Sequence, residues 1–389
     1  MNQLLFEGHL LVGIVASIIG QKGIHIAHKR LDWERMYRLS DYHKVANIVY
    51  LGILGDGEAL PDRWRGLFSK RYREALMYQE SLDDSIREIL ACLDMYEIPC
   101  TVISRGEVRS LYPLPEISDR SPLRIILDSE NYPLAKGFLV DLGYETEEIF
   151  TGAGECLAKG QGLRVELYRR LPFRTAAYHK NVELILERAE IEEPYVHIRA
   201  LDKKDAFLLN MATAAYRYVT DMLTVREVLD LYLLHKSCRE TLGEEEMLKR
   251  LEGFRIQKLA EKILRISYMW FGNKEDTYFS QLPDEIETYD SLENRLLTKG
   301  ILNREEDIQA LGLEQMIKQE IEKERRKERR RLFKTRLKTA MNETRKKLRW
   351  AFPDYRYMSA LYPAIERVPL LLPLFWMIRG LRLAWHSRW

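Results

Sequence analysis

Residues 97–144 read EIPCTVISRGEVRSLYPLPEISDRSPLRIILDSENYPLAKGFLVDLGY, and this stretch decides the fold class. Its segment 98–104 is rich in β-branched side chains, which predicts a strand. A second short apolar run at 124–127 predicts another strand. Residues 134–142 are predicted to form a helix that ends before Gly143, a residue type favoured just after a helix. The stretch therefore predicts a small α/β unit.

A third strand is predicted at residues 163–167, where apolar and polar side chains alternate. Successive strand residues point to opposite faces, so Glu166 is expected to share a face with Arg164 and Tyr168. Helical spacing of apolar residues dominates before this unit and after it. The predicted later helices are 206–219, 225–235 and 245–270. The glycines Gly152, Gly154, Gly160 and Gly162 are interpreted as a flexible, hairpin-like connection.

The composition excludes several classes of protein. The chain has 389 residues, of which 46% are apolar and 31% charged, so it can build a buried core in two or three domains. A net charge of +2 excludes a uniformly basic nucleic-acid coat and a disordered acidic protein. The four cysteines lack CxxC spacing, which favours a reducing compartment. The longest apolar runs are shorter than the ~20 residues of a membrane span. A cytoplasmic protein is predicted.

A basic segment at residues 320–349 contains 14 lysines and arginines against 5 glutamates. It predicts a helix that either contacts a polyanion or is solvated and braced by Glu–Arg pairs, and the second interpretation is favoured. The basic surface residues are Arg325, Arg326, Lys327, Arg329, Arg330 and Arg331. The apolar residues 373–377 further along, together with Trp385 and Trp389, could contact lipid, although packing against the body or a partner protein is the preferred interpretation.

Several motifs in this chain resemble those of the uncharacterised bacterial nucleotidyltransferase family, a branch of the polymerase-β-like superfamily. The matching motifs are Arg105-Gly106 after the first strand, the turn Tyr112-Pro113-Leu114-Pro115-Glu116, the strand Arg164-Val165-Glu166-Leu167-Tyr168, the N-terminal pair Leu31-Asp32-Trp33-Glu34 and His43-Lys44-Val45-Ala46, and the C-terminal Tyr362-Pro363 with Leu371-Leu372-Pro373-Leu374-Phe375-Trp376. They occur in the family's order and span most of the chain.

The resemblance implies an α+β fold, with a small polymerase-β-like nucleotidyltransferase sheet core flanked by helical regions. The expected division is a helical region at 1–85, the nucleotidyltransferase-like core at 86–175, a helical domain at 176–280 and a basic helical region at 281–389. In the family, two acids one residue apart on a strand and a third acid on a neighbouring strand hold two Mg²⁺ ions. The paired acids share a face because strand side chains alternate.

This sequence departs from the family pattern at the paired acids. Aligned on the Tyr-Pro turn and on Asp128-Ser129-Glu130-Asn131, their positions are occupied by Pro122 and Arg124, and registers shifted by one or two residues give Leu123 with Ile125 or Arg124 with Ile126. No register supplies two acids, and only Glu166 is retained as a possible catalytic carboxylate. Arg105 and Gly106 replace the family's Lys-Gly, so Arg105, Gly106 and Arg124 are the predicted nucleotide- or phosphate-binding residues. We expect Arg124 to form an ion pair with Glu166 across adjacent strands, at the position of the metals.

Three functions follow from this sequence. The first is a degenerate, catalytically inactive nucleotidyltransferase-like protein that binds a nucleotide or regulates a partner, with no cofactor expected. The second is an active Mg²⁺-dependent enzyme that uses the displaced carboxylates Asp119, Asp128 and Glu166. The third is an interaction protein whose basic segment binds RNA, an anionic membrane or a protein partner. The first is preferred, and nucleic acid and membrane are the less favoured partners.

Overall fold

The computed structural model describes residues 3–21, 31–56, 60–104, 106–118, 120–150, 152–160, 162–173, 175–220, 222–239, 242–272, 293–297 and 352–386. Within these residues, seven strands form one mixed sheet with helices before and after it in the chain. The predicted α+β class is therefore confirmed. The basic segment 320–349 lies outside the described residues.

Four helices precede the sheet: α1 Gln3–Ile19, α2 Trp33–Tyr42, α3 Ala46–Asp56 and α4 Asp62–Met95. Helix α2 begins as the sequence predicts, because the Asp32 side chain accepts a hydrogen bond of 3.2 Å from the main-chain N–H of Arg35. Helix α4 is long enough to contribute side chains to two hydrophobic cores. Its first half buries Phe68 among the N-terminal helices, and its second half buries residues such as Ile89 against the sheet.

The strands are β1 Cys100–Ser104, β2 Leu123–Ile126, β3 Glu145–Phe150, β4 Gly154–Ala158, β5 Arg164–Tyr168, β6 Glu190–Ile191 and β7 Ile198–Ala200. Their order across the sheet is β3-β4-β5-β2-β1-β7-β6. The pairs β2–β5 and β1–β7 are parallel, and the other neighbours are antiparallel. Helix α5, Tyr132–Asp141, follows β2 and ends before Gly143, whose φ of 88° is the left-handed backbone conformation expected there.

A helical region follows the sheet: α6 Ala176–Glu187, α7 Lys203–Val219, α8 Val225–Cys238, α9 Glu244–Gly253 and α10 Gln257–Phe271. The single helix predicted at 245–270 is wrong, because the chain breaks between α9 and α10 at Arg255, where φ is 62°. Phe254 and Ile256 on either side of the break are buried. The break therefore directs two apolar side chains inward that a continuous helix would place on different faces.

Three helices form the described C-terminal part: α11 Tyr355–Leu361, α12 Ala364–Arg367 and α13 Leu372–His386. Within the described ranges, no helix is both long enough and apolar enough to cross a bilayer.

The two faces of the sheet contact different cores. Leu123, Ile125, Val165 and Leu167 lie on one face and pack with α5 and the second half of α4. The opposite face contributes Tyr168 to a second cluster, which includes apolar residues of α1–α3 and of α6–α10. This second face also carries the polar side chains of β2 and β5, because side chains alternate along a strand. The polar side chains of β2 and β5 therefore face the helical body.

Candidate functional site

The parallel register of β2 and β5 places Arg124 beside Glu166. Both side chains lie on the face opposite the apolar set Leu123, Ile125, Val165 and Leu167. Arg124 Nε donates a hydrogen bond of 2.8 Å to Glu166 Oε2. The ion pair predicted from the sequence is therefore present between these adjacent strands.

Glu166 is held as a carboxylate in this arrangement. Its side chain is only 16% exposed, and burial alone would raise its pKa. The Arg124 charge and hydrogen bonds from Arg124 and Tyr168 outweigh burial, so the pKa of Glu166 is lowered. The Tyr168 hydroxyl donates to the same Oε2 atom at 2.8 Å. One carboxylate oxygen of Glu166 is thus already bound by two donors.

Arg124 remains a cation at every ordinary pH. Burial lowers the pKa of its guanidinium, but the neighbouring Glu166 more than compensates, and the pKa is raised above its already high usual value. Its side chain is 32% exposed, so part of this side chain stays in contact with solvent. A guanidinium offers several donors to phosphate oxygens.

An open cleft of about 520 Å³ lies at the N-terminal end of β5, and neither Arg124 nor Glu166 is among the residues that line it. Its lining combines the helices α2, α3 and α4, the segment before β2 and the N-terminal end of β5. Arg164 lines the cleft and lies two residues before Glu166 on the same strand face. The charged lining side chains are the cations Lys44, Arg71, Arg120 and Arg164 and the carboxylates Asp41, Glu74 and Glu147.

The carboxylates of the cleft are engaged by arginines. Arg71 contacts both oxygens of Asp41, at 2.6 and 3.1 Å, and also Glu74 at 3.0 Å. Arg120 reaches the same Glu74 at 3.4 Å. On the opposite wall, Arg164 lies 2.8 Å from Glu147. Cations outnumber carboxylates by one in this lining, so the cleft suits an anion that competes with the carboxylates for guanidinium donors.

The described residues do not fit a two-magnesium site. No group of three or more His, Cys, Asp or Glu side chains in the described part of the chain is placed to hold a metal ion. Asp128 accepts hydrogen bonds of 2.9 and 3.1 Å from the main chain and the side chain of Asn131, in the turn ahead of α5. Asp119, the other displaced acid, lies outside the described residues. A metal set that includes Asp119 therefore stays a prediction.

The predicted phosphate-binding loop follows β1. Gly106 has a φ of 83°, the left-handed conformation that glycine adopts without strain, and it precedes a 3₁₀ helix at Glu107–Leu111. Its neighbour Arg105 lies outside the described residues. The contribution of Arg105 and Gly106 to ligand binding stays a prediction.

The sequence did not indicate how α8 supports this site. Arg226, which is 1% exposed, is the centre of a buried network. It donates to the main-chain carbonyls of Lys44 at 2.8 Å and of Ile117 at 2.6 Å, and to the Asn47 side chain at 2.8 Å. Arg226 reaches segments of the chain more than 100 residues away.

This network positions one wall of the cleft. The Asn47 amide donates to the carbonyls of Ile117 and Ser118, at 3.1 and 3.4 Å. Ser118 and Arg120 then line the cleft directly. Because Arg226 and Asn47 both hold the segment around Ile117, they fix where the chain enters the cleft wall and then β2. Both are positioning residues.

Comparison with known proteins gives one match. A family model described as an uncharacterised nucleotidyltransferase matches residues 29–272. This range includes the whole seven-stranded sheet, the cleft and α8. No curated protein and no solved structure matches the chain.

Proposed function

The chain belongs to the uncharacterised nucleotidyltransferase family, and from this we propose that it is a degenerate member that binds a nucleotide without metal and serves as a nucleotide-binding or regulatory subunit. The observation that carries the proposal is the ion pair between Arg124 and Glu166. Family membership implies that the chain binds a nucleotide. The ion pair supports the part of the proposal that concerns binding without metal.

The charge of Arg124 opposes metal binding at this position. Mg²⁺ is held by several oxygen ligands and dehydrates reluctantly, so a single carboxylate binds it weakly. Here the carboxylate of Glu166 is shared between Arg124 and Tyr168, and the guanidinium carries the positive charge that a metal would supply. A divalent cation next to Arg124 would be repelled. Glu166 is accordingly a positioning residue for Arg124 in this proposal.

The phosphates would be bound by arginine side chains. Arg124 and Arg164 lie on the same face of neighbouring strands, and Arg164 and Arg120 line the cleft. Guanidinium groups form strong, often bidentate hydrogen bonds with phosphate oxygens and need no metal to do so. Such a site binds the charged part of a nucleotide, yet lacks the metal clamp that stabilises charge during nucleotidyl transfer.

The test measures whether nucleotide binding depends on metal. We expect one or more of the four common ribonucleoside triphosphates to raise the melting temperature equally in EDTA and in Mg²⁺. The increase should fall in Arg164→Ala and persist in Arg87→Ala, a matched control whose arginine is exposed on α4 and pairs with Asp84. Stabilisation only with Mg²⁺, together with pyrophosphate release that Glu166→Ala abolishes, would show an active enzyme instead.

A second experiment restores the paired acids of the family motif by substitution. The variant Pro122→Asp/Arg124→Asp places two acids one residue apart, next to Glu166 in the sheet register. Its control, Pro122→Asn/Arg124→Asn, has side chains of the same size without the charges. We expect Mn²⁺ binding, followed by electron paramagnetic resonance, in the acidic variant and in neither the control nor the natural chain. Tight Mn²⁺ binding by the natural chain that Glu166→Gln removes would contradict the proposal.

A further inference from the structure

Helix α13 exposes a stripe of aliphatic side chains. Leu374, Met377, Ile378 and Leu381 follow the i, i+3, i+4, i+7 spacing of a single helix face. Their exposed fractions are 51%, 67%, 37% and 70%. Leu370, just before the helix, is 89% exposed and extends the same apolar surface. Contiguous exposed apolar surface of this kind marks an interaction site rather than ordinary surface composition.

The other side of α13 is already packed, which fixes the direction of the stripe. The Phe375 ring stacks on Tyr362 with 4.6 Å between ring centroids. Trp376 donates from Nε1 to the Pro353 carbonyl at 3.1 Å, and its ring meets Phe352 edge-on. Because these aromatic contacts occupy the inner face, the aliphatic stripe is the face that remains outward.

The neighbouring helices attach α13 to the body of the protein. Arg170, which follows β5, donates to the Arg356 carbonyl and to the Ser359 hydroxyl in α11. Arg356 forms an ion pair with Glu183 of α6. Met358 and Ile365 are fully buried beneath these contacts. The exposed stripe thus belongs to a docked element.

The surroundings of the stripe are cationic. Residues 368–389 contain no acidic residue, and Arg379 and Arg382 lie in α13 itself. An aliphatic face beside arginines complements a surface that is apolar below and anionic above, the arrangement of an anionic lipid headgroup layer.

We propose that α13 binds peripherally to anionic phospholipid membranes through Leu370, Leu374, Met377, Ile378 and Leu381. The helix of 15 residues is about 22 Å long, shorter than the ~30 Å hydrocarbon core, so it lies in the plane of the interface. RNA is a poorer fit, because the five described side chains of this exposed face are aliphatic and offer no ring on which a base could stack. This membrane surface is separate from the cleft and does not depend on nucleotide binding.

Co-sedimentation of the full chain with vesicles tests the proposal. We expect binding to vesicles of phosphatidylcholine and phosphatidylglycerol in a 7:3 ratio, weak binding to phosphatidylcholine alone, and a marked loss at high salt. The variant Leu374→Ser/Met377→Ser/Leu381→Ser should lose at least tenfold in affinity. The control Leu134→Ser/Val140→Ser replaces aliphatic residues that are similarly exposed on α5, and it should bind as the natural chain does.

Three results would overturn the proposal. One is failure of the natural chain to bind the anionic vesicles. Another is equal binding by the stripe variant, whose circular dichroism spectrum and cooperative thermal unfolding serve as the check that its fold is intact. The third is a dimer in sedimentation velocity that the stripe variant abolishes, with no vesicle binding, since this would assign the face to a second copy of the chain.

Discussion

The Tyr112 hydroxyl donates a hydrogen bond of 2.6 Å to Asp230, 118 residues further along the chain. The same hydroxyl accepts a hydrogen bond from Arg226 Nη1 at 3.0 Å. Burial and the Asp230 charge raise the pKa of Tyr112 well above its usual value, so the phenol stays protonated as the donor. The Tyr-Pro turn of the family motif is thereby fixed to α8, and this turn leads into the cleft wall.

We expect Arg226→Lys to lower the free energy of unfolding by about 3 kcal/mol. An ammonium cannot reproduce the planar set of hydrogen bonds to Lys44, Ile117 and Asn47, and it leaves buried acceptors unpaired. Urea unfolding measures the change, with Arg87→Lys on the exposed face of α4 as the matched control. A loss below 0.5 kcal/mol, by the ~1 kcal/mol scale of a single hydrogen bond, would refute this assignment.

The Arg124–Glu166 pair should show a coupling energy of about 2 kcal/mol in a double-mutant cycle with Arg124→Gln and Glu166→Gln. This value lies between those of exposed pairs and fully buried pairs, because Arg124 keeps part of its surface in solvent. Urea unfolding of the four proteins at pH 7 provides the measurement. Additive effects of the two substitutions would show that the pair contributes nothing.

The same cycle has a defined pH dependence. Because the pKa of Glu166 is lowered in the folded state, the pair's contribution is present above the ordinary glutamate pKa. It is lost as the pH falls through the lowered value, when the folded protein also takes up the proton. The coupling energy should therefore be smaller under strongly acidic conditions than at pH 7.

The local pattern of apolar and polar residues in the sequence was sufficient to predict part of this structure. Alternation along β5 predicted the face of Glu166, because strand parity depends only on sequence spacing, and the resemblance to the nucleotidyltransferase family implied Arg124 as its neighbour. The acidic hairpin strand β3 could not be found in this way, since most of its side chains are exposed and it has no apolar face. Arg226 gave no local signal either, because its partners come from distant segments.

His235 should make the protein less stable at mildly acidic pH. Burial lowers the pKa of this imidazole to about 4, and it forms a hydrogen bond of 2.9 Å with Tyr268. The unfolded chain takes up the proton near pH 6.5 and the folded chain only near pH 4, so the free energy of unfolding falls between these values. The expected loss is about 3 kcal/mol, at ~1.4 kcal/mol for each unit of pKa difference.

Urea unfolding of the natural chain and of His235→Gln from pH 7.5 to pH 4 tests this effect. The variant has a different absolute stability, so the slopes with pH are compared rather than the values. His179, whose pKa burial also lowers, is present in both proteins and cancels in the difference. Equal slopes would show that His235 does not titrate between pH 6.5 and 4 on unfolding.

Gly154→Ala should destabilise the sheet by about 3 kcal/mol or more, because this position has no room for a side chain. A Cβ at Gly154 would lie 1.9 Å from the Leu167 carbonyl oxygen and 2.9 Å from the Tyr168 Cα, both in the backbone of β5. Backbone atoms cannot move aside as a flexible side chain can, so β4 and β5 would have to separate. The matched control is Gly137→Ala on the exposed face of α5, where a Cβ meets nothing within 4 Å.

The control should stabilise the protein by about 1 kcal/mol, since alanine is favoured over glycine inside a helix. Separation of β4 from β5 would also displace Glu166, which pairs in register with Cys156 of β4. Gly154→Ala should therefore reduce the metal-independent melting shift that nucleotides produce, whereas Gly137→Ala should leave it unchanged. A Gly154→Ala variant with natural stability would show that the two strands lie further apart than the structure has them.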